Sequence, residues 1–375
     1  MHARPRAYRP RTRALAAMLM LAALAGCSQD DAVTGPDQGL VPETGADMEG
    51  VDVSASAVPN YADGYVWASD PYVGSYTPDP SYSFNLSGRA ITITRQGVGT
   101  YTVRFAGLSG VLGNRSTVHV TGYSTNGSYC KPATQKLQND IIRIKCFDAA
   151  TGRPVDAYYT VYITKRYGDL AFAYASKATG TNYAPPASAS HNPAGAIRVF
   201  RSGVGNYQVK FSGLGARLTS NGGHVQVVAI GTGAQHCKVS SWVGTPDLTV
   251  YVQCYSRTGQ LKDVKFNVFF TLPHGNLAYA WASDPSAPSY SANPFFRHNP
   301  NGGNVTVTRH AVGIYTVLWS SLSLSAKTDV QVTAYGPGSS VCTVEGWGAQ
   351  SVNVRCFDPG TGAPVDSRFD IMYFS

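Results

Sequence analysis

Six cysteines fall in three pairs along this 375-residue chain, Cys130 and Cys146, Cys237 and Cys254, Cys342 and Cys356, with spacings of 16, 17 and 14 residues. Paired thiols can hold a metal or form a disulfide. A metal site would need clustered CxxC spacing or His partners, and beyond the lone His236 beside Cys237 neither accompanies these pairs. Six cysteines permit fifteen pairings, but the recurring spacing in an exported chain predicts three local disulfides. Closing a loop of this size stabilises a unit by about 3 kcal/mol.

Other reactive groups are sparse. Glutamate occurs only at Glu43, Glu49 and Glu345, so a paired-carboxylate glycosidase would have to use aspartates. Histidines are scattered, and His191 and His298 share only an "HNP" turn. The chain carries no GxSxG, HExxH or Walker pattern. Gly97-Val98-Gly99 lacks the third glycine and following helix of a nucleotide loop and reads as a hairpin bend. No catalytic residue, metal site or cofactor is assigned, and the chain reads as non-enzymatic, with a hydrolase as the weaker reading.

Two polar residues recur in register, Arg95, Arg201 and Arg309 at one bend, and Asp156, Asp263 and Asp366 entering a later strand. Threefold recurrence predicts a structural salt bridge or turn contact rather than three active sites. Trp242 and Trp347 lie five positions after the first cysteine of their pairs, where Gln135 stands in the first copy. The framework therefore does not require them. They are the candidate binding residues, read either as loop-tip platforms for a sugar ring or protein partner, or as covers over the disulfide.

These residues are positioned by a repeat of about 105 residues. Each copy opens with an aromatic strand, "GYVWASD" at Gly64, "LAFAYAS" at Leu170 and "LAYAWAS" at Leu277. A hairpin follows, "ITITRQGVGTYTVRFAGL" at 91–108 and its counterparts at 197–214 and 305–322, with period-two alternation on both sides of its bend. Then come "VHVTGY", "VQVVAI" and "VQVTAY" at 118, 225 and 330 and the cysteine pair. The last strand places Tyr159/Val161/Ile163, Phe266/Val268/Phe270 and Phe369/Ile371/Tyr373 on one face.

The fold class is therefore all-β, with three tandem antiparallel β-sandwiches of six or seven strands at 61–167, 168–275 and 276–375. The units resemble immunoglobulin-like domains in size and strand count alone, because cysteines this close in sequence cannot be the distant inter-sheet pair. Joints of about five residues, "KRYGD" and "LPHGN", predict a stiff rod of three beads, with a single closed barrel or propeller made of all three repeats as the weaker alternative.

Ahead of the repeats, Arg4, Arg6, Arg9, Arg11 and Arg13 precede an apolar run from Ala14 to Leu24 and then "LAGC" at Leu24 to Cys27. This is the layout of a secretory signal over residues 1–26, too short to span a bilayer comfortably. The "LAGC" segment resembles the lipobox of bacterial lipoproteins, and that resemblance implies acylation of Cys27. With Ser28 rather than aspartate next, it also implies an outer-membrane address in the cell envelope. Residues 27–60 carry seven acidic and no basic residues and read as a disordered tether that holds the folded part roughly 30 Å from the anchor.

The formal charge of +8 is uneven, because residues 61–167 carry +5, 168–275 carry +6 and 276–375 carry −1. The first two copies could meet anionic lipid, envelope polymer or acidic glycan, although solvated surface charge is the simpler reading. Export and the absence of any recognition motif argue against nucleic acid. The expected partners are the bilayer through Cys27 and a glycan, envelope polymer or protein.

Overall fold

The computed structural model describes residues 62–375 except Asn114, Arg166, Asn221, Ser325 and Ala326. The signal segment, Cys27 and the tether lie outside the described residues. Each repeat forms nine strands. In unit 1 these are β1 (Gly64–Ala68), β2 (Ser75–Tyr76), β3 (Ser83–Asn85), β4 (Ile91–Gly97), β5 (Thr100–Phe105), β6 (Ser116–Tyr123), β7 (Ser128–Pro132), β8 (Ile141–Asp148) and β9 (Tyr158–Lys165). Unit 2 repeats the order as β10 (Leu170–Ala175), β11 (Asn182–Tyr183), β12 (Ser190–His191), β13 (Ile197–Gly203), β14 (Asn206–Phe211), β15 (His224–Ile230), β16 (His236–Val243), β17 (Leu248–Tyr255) and β18 (Lys265–Thr271). Unit 3 does so as β19 (Leu277–Ala282), β20 (Ser289–Ser291), β21 (Arg297–His298), β22 (Val305–Ala311), β23 (Ile314–Trp319), β24 (Asp329–Tyr335), β25 (Val341–Trp347), β26 (Ser351–Phe357) and β27 (Arg368–Phe374). Counterparts are thus nine strand numbers apart. The expected strands are all present, and the extra ones are two- and three-residue pairings in the Pro-, Ser- and Asn-rich passages, too short to leave a period in the sequence.

Every unit is a two-layer sandwich. An inner sheet runs β3-β1-β9-β6 in unit 1 and an outer sheet runs β2-β4-β5-β8-β7, and units 2 and 3 repeat both orders. The alternation read from the sequence sets the layers. Val66, Val161 and Ile163 of the inner sheet pack on Ile93, Tyr101, Val103 and Ile144 of the outer one. The other two units bury the equivalent sets.

The rod expected from the short joints does not form. The inner sheets also have apolar outer faces, and these meet in a core shared by all three units: Tyr65 and Tyr162 from unit 1, Phe172 and Phe269 from unit 2, Tyr279, Met372 and Phe374 from unit 3. The aromatic opening strands supply one side of that core. The outer sheets of units 2 and 3 also run on into the inner sheet of the next unit. β16 pairs in parallel with β24 at Val239 and Tyr335, and β25 pairs with β6 at Val344 and Tyr123, so the last unit closes onto the first. The units therefore surround a pseudo-threefold axis. The inner sheets are thus covered on both faces, and β15, β18 and β27 are almost wholly buried.

Candidate functional site

Three disulfides form as expected, Cys130–Cys146, Cys237–Cys254 and Cys342–Cys356. In each unit the two cysteines stand opposite each other on neighbouring antiparallel strands of the outer sheet. The staple lies within one sheet, with its sulfurs in the unit's own core.

Beside each staple lies the recurring ion pair. Arg95 Nε and Nη2 donate to Asp156 Oδ1 and Oδ2 at 3.0 and 2.8 Å. Arg201 with Asp263 and Arg309 with Asp366 repeat the fork at 2.8–2.9 Å. Each aspartate also accepts from a backbone amide and a tyrosine hydroxyl: Gly99 and Tyr101, Gly205 and Tyr207, Gly313 and Tyr315. Desolvation raises the Asp156 carboxyl, but Arg95, Gly99 and Tyr101 outweigh it and hold its pKa below the usual value. For Asp263 and Asp366 the arginine fork is the largest influence, and it holds both low.

The bend needs glycine. Gly99, Gly205 and Gly313 sit at φ +60°, +68° and +68°, and a Cβ on any of them would strike the carbonyl of the unit's second cysteine. Arginine, aspartate, tyrosine and glycine thus tie the hairpin bend to the staple, a structural role in each unit.

Trp242 and Trp347 are not at loop tips. They lie on β16 and β25, paired with Val250 and Val352, and each follows a bulge that adds one residue to its strand. They neither stand free nor simply cover a disulfide, because each packs across a joint between units. Trp347 of unit 3 meets Trp67, Tyr82 and Tyr123 of unit 1, with ring centroids 5.6–5.7 Å apart. Trp242 of unit 2 meets Phe296 of unit 3 at 5.4 Å, and Phe296 packs on Trp281, which packs on Tyr335. These are the same four positions in two joints. In the third joint they are occupied by Gln135, Tyr174, Ala189 and Ile230.

One side of the Trp347 cluster stays accessible. A groove of about 330 Å³ runs past Trp347, Tyr82, Tyr373, Leu322 and Thr328. Trp347 Nε1 donates to Thr328 Oγ1 at 3.3 Å on its wall.

The sequence reading missed a set of polar residues at the axis. Thr160 of unit 1 donates to the Val330 carbonyl of unit 3 at 2.8 Å, and Asn267 of unit 2 donates to the Val118 carbonyl of unit 1 at 3.0 Å. Asp370 of unit 3 holds the same position, only 3% exposed, and one carboxylate oxygen has no partner. Burial raises its pKa far above the ordinary carboxylate value. In the protonated form it gains an O–H donor, as Thr160 and Asn267 donate through a hydroxyl and an amide N–H.

Nearer the cysteines, Lys131 and Lys238 directly follow the first cysteine of their units and are 2% and 1% exposed. Lys131 Nζ donates to the Gln235 carbonyl at 2.8 Å, and Lys238 Nζ donates to Ser340 Oγ at 2.9 Å. Burial lowers both to about 7. A repeated "CK" dipeptide was the available signal, and the two-faced burial that makes it unusual appears only once the units are assembled.

Among the described residues no group of three or more His, Cys, Asp or Glu side chains could hold a metal ion. No helix among them is long and apolar enough to cross a membrane. No protein-family model, curated protein or solved structure matches the chain.

Proposed function

We propose that this chain is a lipid-anchored protein of the bacterial cell envelope, held on the outer membrane by acylated Cys27, that acts without catalysis in binding, adhesion or envelope architecture. The carrying observation is "LAGC" at the end of an arginine-led apolar run. Three disulfides support an oxidising compartment beyond the cytoplasm. The recurring charged residues are engaged in structural clasps, which favours a scaffold over a catalyst. Two or more acyl chains anchor firmly, since each buried methylene contributes about 0.8 kcal/mol.

Expression of the Cys27→Ser variant in a bacterial host tests the anchor. Wild type should take up radiolabelled palmitate and pellet with membranes, and the variant should do neither. A variant that still pellets contradicts the proposal.

A second reading, carbohydrate binding, is favoured by the groove beside Trp347, whose aromatic walls suit a sugar ring. Trp242 has its ring edge against Phe296 and Phe270 and is the lesser candidate. Glycan-array binding that disappears in Trp347→Ala, with fold intact, would support this reading, and binding unchanged by that substitution would remove it.

A further inference from the structure

On the pseudo-threefold axis, where Cys130, Cys237 and Cys342 converge, the three units enclose a cavity of about 50 Å³. One water needs about 10–15 Å³ on this measure, so the space holds a small group and a water. Most polar side chains on its wall are already engaged. Thr121 donates to Gln331, Thr333 donates to the Val227 carbonyl, and Ser340 bonds Lys238 and Ser367.

Two are not. Lys131 has three N–H donors, and its one hydrogen bond is to the Gln235 carbonyl, with the Phe147 ring 5.9 Å away. His236, 5% exposed, bonds the Ser339 carbonyl through Nε2, so Nε2 carries the proton and the partnerless Nδ1 presents a lone pair. Among the described residues no carboxylate forms an ion pair with Lys131. Asp358, whose field reaches His236, is turned onto the amides of Gly360 and Thr361.

A buried ammonium without a counter-charge costs several kcal/mol. The repeat does not require it, since Thr343 fills the same position in unit 3.

We infer that the axial cavity is a binding site for one small inorganic anion of halide size, held by the Lys131 ammonium at the meeting point of the three units. A water beside it donates one hydrogen to His236 Nδ1 and the other to the anion, which satisfies both groups. Lys238 does not line the cavity, and Ser340 and the Pro337 carbonyl already accept from it. It is the internal control.

Chloride is the probe. Thermal unfolding of the whole chain is followed in sodium chloride against sodium gluconate at equal ionic strength. Binding to the folded state alone should raise the wild-type midpoint by about 2–4 °C in chloride. Lys131→Met should lose that rise and Lys238→Met should keep it. A crystal soaked in bromide should show an anomalous peak between Lys131 Nζ and His236. That peak decides the matter if Lys131→Met fails to fold. A chloride response equal in wild type and Lys131→Met, or a bromide map with only water-like density in the cavity, overturns the inference.

Discussion

Where unit 2 meets unit 3, and where unit 3 meets unit 1, a parallel strand bridge and a cluster of four aromatic rings carry the contact. Where unit 1 meets unit 2, a single backbone bond runs from the Gly231 amide to the Pro132 carbonyl at 3.1 Å. Pro132 occupies the place of Val239 and Val344 and has no N–H, so the second bond of a parallel bridge cannot form and the sheet is interrupted there. That joint uses polar contacts instead, chiefly Asn267 to the Val118 and Gln135 carbonyls and Lys131 to the Gln235 carbonyl. Three units of one topology can therefore close with two kinds of seam, and the difference traces to a few side chains.

Breaking a strong seam should have the largest effect. Trp347→Ala removes the ring at the centre of its cluster and should cost about 3 kcal/mol in a denaturant titration, whereas Gln135→Ala, at the matching place of the weak seam, should cost under about 0.5 kcal/mol. Equal losses would dissolve the contrast.

The clasp that all units share should be nearly as sensitive. Asp366→Ala strands the Arg309 fork, the Gly313 amide and the Tyr315 hydroxyl, and should cost about 2–3 kcal/mol at pH 7. Because the folded pKa of Asp366 is depressed, its stabilisation is present above the unfolded value near 4 and fades as pH falls through the folded one. The wild-type and variant stabilities should converge in acid, as thermal unfolding between pH 2 and 7 would show.

Repairing the weak seam should have a smaller effect of opposite sign. Pro132→Val restores the missing N–H and should raise stability by about 1 kcal/mol, with slowed amide exchange at position 132. A destabilised variant would mean that the proline is needed for another reason.

The smallest effect is expected at the axis. Asp370→Asn supplies the donor that Asn267 has at the equivalent position. Burial raises the folded pKa of Asp370, so its contribution is intact below about 4 and is lost as pH rises toward the folded value. The variant should match wild type in acid and exceed it by up to about 1 kcal/mol at pH 8. An Asn variant less stable than wild type at pH 8 would refute this reading of the buried acid.

The strands, staples and arginine–aspartate pairs were legible in the sequence because each is local or recurs in register. Ile142, Ile144 and Cys146 alternate with polar residues and lie inward, as the period-two pattern requires. The joints were not legible. Linker length set the expectation of a rod, yet Tyr65, Phe172 and Tyr279 share one core at the axis because the inner sheets bury their outer faces as well. The unbroken apolar stretches at 227–230 in β15 and 268–270 in β18 carried that information, since a sandwich with one solvated face should show polar alternation there. Trp242 and Trp347 differ visibly from Gln135 in the sequence, but the bulges that turn them into a seam leave no mark in composition or period.

Ring closure carries the rest of the account, and scanning calorimetry tests it most directly. Three units sharing one axial core should unfold together, with equal calorimetric and van 't Hoff enthalpies of about 220 kcal/mol for the 314 residues from Ala62 to Ser375. Separable transitions, each with a van 't Hoff enthalpy near 70 kcal/mol as expected for a unit of about 100 residues, would show independent beads and contradict the closed assembly.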